Sequence, residues 1–271
     1  MAKFVHGYNL EVDPAVGSIT DEDHLVSFAA KNKLASLGLA PVESPQHCLD
    51  VATGTGIWAI QYVLGTDLSL IQGGQVTPNC RFVQQDLENE NWKLENQFDH
   101  IHFRHVVTCF DDTPALIKKA YDSLKPGGWI EFFDMLPLLV PLDDTVRGTA
   151  VEQWYNTIFQ GARIAGRDMS RPKRYAQWCE DTGFVNMTER RFPLPSNGRW
   201  PKDSTMKKIG EYFMKNQIGL VGSLSKFVRL TGLSEEKAAS LEARAKEDLR
   251  DPKIHYYVNI CMVYAQKPLD A

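Results

Sequence analysis

Apolar residues along this chain keep to two spacings, and the alternation between them lays out the elements. Short apolar runs open at Cys48 and recur at 82–86, 98–104 and 124–131, each with a polar residue at its end or a turn before it, and these read as strands. Residues 114–124, between the last two runs, are amphipathic. The order strand, helix, strand therefore predicts a parallel sheet built from crossover units. Beyond Pro137 and Pro141 the spacing changes: Val151, Trp154, Tyr155, Ile158, Phe159 and Ala162 recur every three or four residues and form one apolar, aromatic helix face. Helical stretches are also predicted over 21–37, where Thr20 or Asp21 can cap, and over 172–182, 205–217, 220–230 and 234–249. Further strands are predicted over 129–135, 184–190 and 256–265, the last two pairing antiparallel.

This pattern divides the chain into an N-terminal extension and helix (1–45), a ligand-binding core (46–136), and the rest of the core (137–271). Helical insertions at about 143–182 and 201–251 interrupt the last part and are expected to stack with the N-terminal helix over the strand ends as a lid.

The stretch richest in chemistry is CLDVATGTGIWAI at 48–60. Glycines directly after a strand accept positive φ and let the backbone approach a ligand, and the N–H groups of a following helix then point at what is bound. Such junctions also use glycine for steric reasons alone. In parallel sheets ligands sit outside the carboxyl ends of the strands, where Gly54, Asp86 and Arg104 fall.

The segments LDVATGTGIWAI, GTDLSLIQ, TPNCRFVQQDLENENW, FDHIHFR, LKPGGWIEFFD and DPKIHYYVNICMVYAQKP, taken in order, resemble the class I S-adenosylmethionine-dependent methyltransferases, most closely the LaeA-like fungal group associated with secondary metabolism. The resemblance spans residues 37–268. It implies an α/β fold with a Rossmann-like, seven-stranded sheet, mostly parallel with an antiparallel C-terminal hairpin, plus the helical lid. It implies S-adenosylmethionine as cofactor and S-adenosylhomocysteine as product. Asp50, Thr53, Gly54, Thr55 and Gly56 would hold the methionine and ribose part, with Ala52 where many members carry a first glycine, tolerable at negative φ. Asp67, with Leu68 beside it, matches the ribose-binding acid. Asp86 and the Leu87 amide would meet the adenine, and Arg104 with His105 would face the methionine amino group and the sulfonium.

The interval from Gly56 to Asp67 is a departure, since a ribose-binding acid ordinarily follows such a loop by roughly 20 residues. A curtailed first helix, a lost segment and a remodelled cofactor site are all compatible with it. The last would allow a methyltransferase fold that no longer methylates and serves as a regulatory partner or a cyclase.

Composition narrows the remaining possibilities. The chain has 271 residues, 30 basic and 34 acidic, with no basic patch of the kind phosphate-backbone binding needs; the groups at 171–174 and 207–208 are expected on solvated faces. Five scattered cysteines fit neither a disulfide framework nor a metal site. No signal peptide or long apolar run is present, so a cytoplasmic protein without membrane or nucleic-acid partners is expected. A small-molecule acceptor is the expected partner, with a protein partner or homo-oligomer also open. His105 is the candidate catalytic base, being the histidine nearest the expected sulfonium. Candidate acceptor contacts are Tyr8, His24, Trp154, Tyr155, Phe159, Phe213 and Met214, although aromatics at helical spacing more often pack a core.

Overall fold

A computed structural model of the chain describes residues 39–54, 56, 58, 63–72, 78, 80–92 and 97–271. Tyr8, His24, Thr55 and the helix expected over 21–37 lie outside the described residues. The described elements are β1 (Cys48–Val51), β2 (Val63–Asp67), β3 (Arg81–Gln84), β4 (Phe98–Arg104), α1 (Thr113–Ser123), β5 (Leu124–Pro141), α2 (Ala150–Ile164), α3 (Tyr175–Thr182), β6 (Val185–Pro195), α4 (Ser204–Ser223), α5 (Ser225–Leu230), α6 (Glu235–Arg250) and β7 (Tyr256–Gln266). The seven strands lie in the order β3-β2-β1-β4-β5-β7-β6. Strands β1 to β5 pair in parallel, while β7 runs antiparallel between β5 and β6. This is the seven-stranded sheet, mostly parallel with an antiparallel C-terminal hairpin, that the sequence led us to expect. Its order reverses between β1 and β4, the position at which an open sheet leaves a crevice.

Helix ends follow their local chemistry. Asp112 caps α1 by accepting from the Ala115 N–H ahead of Pro114, Thr149 caps α2, and Asp203 accepts from two amides at the start of α4. Helix α3 stops at Gly183, whose φ of +102° is one that residues with a Cβ avoid.

Two cores lie on opposite faces of the sheet, and β7 contributes to both because successive strand residues alternate faces. Cys261, Val263 and Ala265 join Leu49, Ile101, Phe103, Phe132, Ile117 and Tyr175 in the first. Tyr256, Val258, Ile260 and Met262 join Trp154, Phe213, Phe227 and Leu241 in the second, which the inserted helices close.

Three elements differ from the sequence pattern. Strand β5 covers 18 residues where 129–135 was predicted, because its distal half, past Pro137, still pairs with β7 out to Pro141 opposite Tyr256. The segment 172–182 begins as a 3₁₀ turn, Arg171–Arg174, before α3. Helix α4 runs through Gly219 to Ser223, carrying the predicted 205–217 helix into the next one.

Candidate active site

The loop after β1 turns left-handed at once. Ala52 has φ +58°, Gly54 +56° and Gly56 +80°. The expectation that alanine is tolerated at position 52 through a negative φ is therefore corrected: it occupies the region where its Cβ crowds the following carbonyl, at about 1–2 kcal/mol. The conformation is held because Thr53 N–H donates to Thr66 O at 2.9 Å and Gly56 N–H to Thr53 O at 2.9 Å. At Gly54 no atom of the described residues lies within 4 Å of where a Cβ would stand, whereas a Cβ on Gly56 would meet the Phe82 ring.

Asp50 is buried beneath this loop. Its Oδ2 accepts from the Thr53 hydroxyl at 2.6 Å, and its Oδ1 accepts from Nδ1–H of His102 at 3.2 Å. The His102 ring is stacked on Trp58, with centroids 4.0 Å apart. Asp67 reaches the same loop in spite of the short interval. The parallel register sets Val51 opposite Thr66, so the next residue of β2 comes level with the glycines, and Asp67 Oδ2 accepts from Gly54 N–H at 2.8 Å. Leu68 follows, its carbonyl taking the Gln84 side-chain amide at 2.8 Å. At the end of β3, Asp86 caps its own turn by accepting from the amides of Glu88 and Asn89 at 3.2 and 3.1 Å. Leu87 is buried, with its carbonyl taken by Trp92 and Lys119.

Arg104 ends β4, its guanidinium 5.5 Å from the Phe133 ring. His105 follows with φ +53° and its N–H on Phe133 O at 3.1 Å. Its side chain is exposed, yet the bulk of protein around it, with the charges of Arg104 and His102, pushes its pKa down to about 3. With that pKa the imidazole is neutral throughout the physiological range. Gly54, Asp67, Asp86 and His105 thus share one edge of the sheet, the carboxyl ends of β1 to β4.

Several residues at this edge carry no signal in the sequence pattern. Asp134, on β5, is fully buried; its Oδ2 accepts from Val106 N–H at 3.1 Å and from the Tyr175 hydroxyl at 2.9 Å. Glu131, three residues earlier and so on the opposite face of β5, anchors the N-terminal segment by accepting from Leu39 and Ala40 N–H, both at 2.9 Å. Arg171 was expected on a solvated face but is 7% exposed. It donates to the carbonyls of Phe110 and Asp111, because the 3₁₀ turn points it under the loop that follows β4.

Among the expected acceptor contacts, Trp154, Tyr155 and Phe213 are buried in the second core. Tyr155 and Tyr256 both donate to Gln217 Oε1, each at 2.9 Å. Phe159 and Met214 are half-buried. Among the described residues no cluster of His, Cys, Asp and Glu suits a metal ion, and no helix is long and apolar enough to cross a membrane.

The sequence matches a family model described as a methyltransferase domain over residues 24–189. Methyltransferase pytC of Aspergillus terreus is 29% identical, covering 97% of this chain and 86% of its own length. Secondary metabolism regulator LAE1 of Cochliobolus heterostrophus is 34% identical, covering 89% and 84%. Among solved structures, Haemonchus contortus phosphoethanolamine N-methyltransferase 2, in complex with S-adenosyl-L-methionine, aligns with a TM-score of 0.48 at 17% identity, covering 91% of this chain and 52% of that one, so the chain spans about half its length.

Proposed function

The chain belongs to the methyltransferase domain family, and on that premise we propose that it transfers a methyl group from S-adenosylmethionine to an oxygen or nitrogen of a small apolar metabolite held beneath the inserted helices. The observation that carries this reading is the Asp67 carboxylate at 2.8 Å from the Gly54 amide, which keeps an acid beside the glycine loop although the interval is short. The donor set also suits the cofactor: Asp50, Asp67 and Asp86 supply carboxylates for hydroxyls and an amino group, and among the described residues of this loop nothing resembles the basic cradle a pyrophosphate needs. Once bound, the cofactor supplies an electrophilic methyl group on a cationic sulfur.

The residues of the chain then have separate tasks. Asp67 and the Gly54 loop would take the ribose, and Asp86 with the Leu87 amide the adenine. Arg104 and His105 form the wall towards the acceptor. With its pKa near 3, His105 is too weak a base to hold a proton at neutral pH, so its task is to accept a hydrogen bond from the nucleophile and orient it. An uncharged imidazole also presents no like charge to the sulfonium. Orientation of this kind is worth several powers of ten in rate. Phe159 and Met214, half-buried, are the lid residues left available to an acceptor.

Relatives named as secondary metabolism regulators favour a second reading, in which the methyl acceptor is a protein or the fold acts as a regulatory partner. Calorimetry with S-adenosylmethionine tests the shared premise, with binding expected in the micromolar range, about −7 to −8 kcal/mol; no heat at millimolar ligand would overturn it. Labelled cofactor incubated with a metabolite extract and, separately, with a protein extract distinguishes the two acceptors.

A further inference from the structure

His105 holds a left-handed backbone, φ +53°, which side chains with a Cβ avoid unless neighbouring bonds impose it. Those bonds come from two consecutive residues of β5. Phe133 O takes the N–H of His105 at 3.1 Å, and Asp134 Oδ2 takes the next N–H, that of Val106, also at 3.1 Å. The same Oδ2 accepts from the Tyr175 hydroxyl at 2.9 Å, and the Tyr175 ring is stacked on Phe132 with centroids 4.5 Å apart. Four residues before Tyr175, Arg171 donates to Phe110 O and Asp111 O at the far end of the same loop. The segment 171–175 therefore grips the loop 105–111 at both ends, and Asp134 is the joint at the His105 end.

We propose that Asp134 is a positioning residue for His105, fixing its left-handed conformation through the Val106 amide and making that conformation depend on the docking of α3 through the Tyr175 hydroxyl. This inference rests on the reading that His105 faces the methyl acceptor.

A carboxyl is a costly choice for a merely structural bridge. Among the described residues Asp134 takes part in no ion pair, and its Oδ1 is buried without a well-aligned donor, although the amides of Val107 and Met135 are turned towards the group. A neutral side chain would satisfy the same two donors without burying a charge. The titratable and charged groups facing it are Tyr175 on α3, Cys109 in the loop after β4, Cys261 on β7 and, acting on Tyr175 and Cys109, Arg171 in the 3₁₀ turn. Burial raises the Asp134 pKa to about 7, against the opposing pull of Tyr175 and the backbone amides. The carboxyl therefore changes charge near neutrality, and its ionised form takes the stronger, charge-assisted bonds.

The test is nuclear magnetic resonance of labelled protein with S-adenosylhomocysteine bound, following the Val106 amide and the His105 ring from pH 5.5 to 8.5, a range in which His105 itself does not titrate. Both signals are expected to shift together with a midpoint near pH 7. Asp134→Asn should abolish both shifts. Tyr175→Phe should keep them but raise the midpoint, since the hydroxyl stabilises the ionised carboxylate. A His105 signal that stays the same in Asp134→Asn while the Val106 shift is lost would make Asp134 structural only. Should Asp134→Asn not fold, an unchanged midpoint at both nuclei in Tyr175→Phe overturns the proposal. Calorimetry with S-adenosylhomocysteine on the same samples reports separately on the cofactor reading.

Discussion

Ala52 shows how a single residue can hold a costly conformation at a binding loop. Its φ of +58° is one glycine takes freely, so Ala52→Gly should stabilise the protein by roughly 0.5 to 1 kcal/mol, less than the full strain because glycine also frees the unfolded chain. Chemical denaturation would reveal this as a higher midpoint, and a lower one would mean the loop does not hold alanine left-handed. Asp67 carries the ribose reading, so Asp67→Ala should weaken S-adenosylmethionine by about 1 to 3 kcal/mol, as should Asp86→Ala; unchanged affinity at Asp67 would mean that the short interval had taken it out of the site. Asp134 also sets a pH dependence of stability. The native carboxyl keeps its proton up to about pH 7, whereas the unfolded one loses it near pH 4. Between those values the native state binds more protons, so stability falls as pH rises, by on the order of 4 kcal/mol across the window. Asp134→Asn should flatten unfolding free energy between pH 4.5 and 7.5, and an unaltered slope would assign the dependence to other groups.

At the scale of elements, the crossing of α2 and α5 depends on the absence of a side chain. A Cβ on Gly161 would stand 1.8 Å from the Phe227 carbonyl oxygen. Alanine is worth about 1 kcal/mol more than glycine inside a helix, so propensity alone favours Gly161→Ala. The contact is backbone, which cannot swing aside, so the helices must separate. Thermal unfolding should therefore show a net loss of roughly 1 to 3 kcal/mol; a gain would mean that α5 yields freely. The same comparison of local preference with packing explains β5. Pro137 and Pro141 argue for an end to the strand, yet Val140 and Pro141 pair with β7 again after a register shift that follows Leu136, because the second core needs a sheet surface beneath it.

Across the whole molecule, two cores share one sheet. The first lies between the sheet and helices α1 and α3, while the second belongs to α2, α4, α5 and α6 over the distal halves of β5 to β7. Separately closed cores open separately. Amides over 204–230 should exchange faster than those of β1 and β4, and S-adenosylhomocysteine should slow exchange over 105–111 and 171–175 before it affects 204–230. Mass spectrometry of exchanged peptides checks this, and uniform protection throughout would mean that the helical layer and the sheet unfold as one unit.

Periodicity and turn chemistry are local, and whatever depends on them is written in the sequence: the strand–glycine–strand order around Gly54, the α2 face from Val151 to Ala162, and the strand patterns of β6 and β7. These features need only neighbours two to four residues away. The positive φ of Ala52 and of His105, the burial of Arg171 and the joint at Asp134 arise from contacts between distant parts of the chain. Tyr175 lies 41 residues from Asp134, and Leu39 lies 92 from Glu131. The sequence also left open whether Trp154 and Phe213 line a pocket or fill a core, since helical spacing is the same for both. Tertiary packing placed them in the core, because the second face of the sheet had apolar area to cover and these side chains were the ones that faced it.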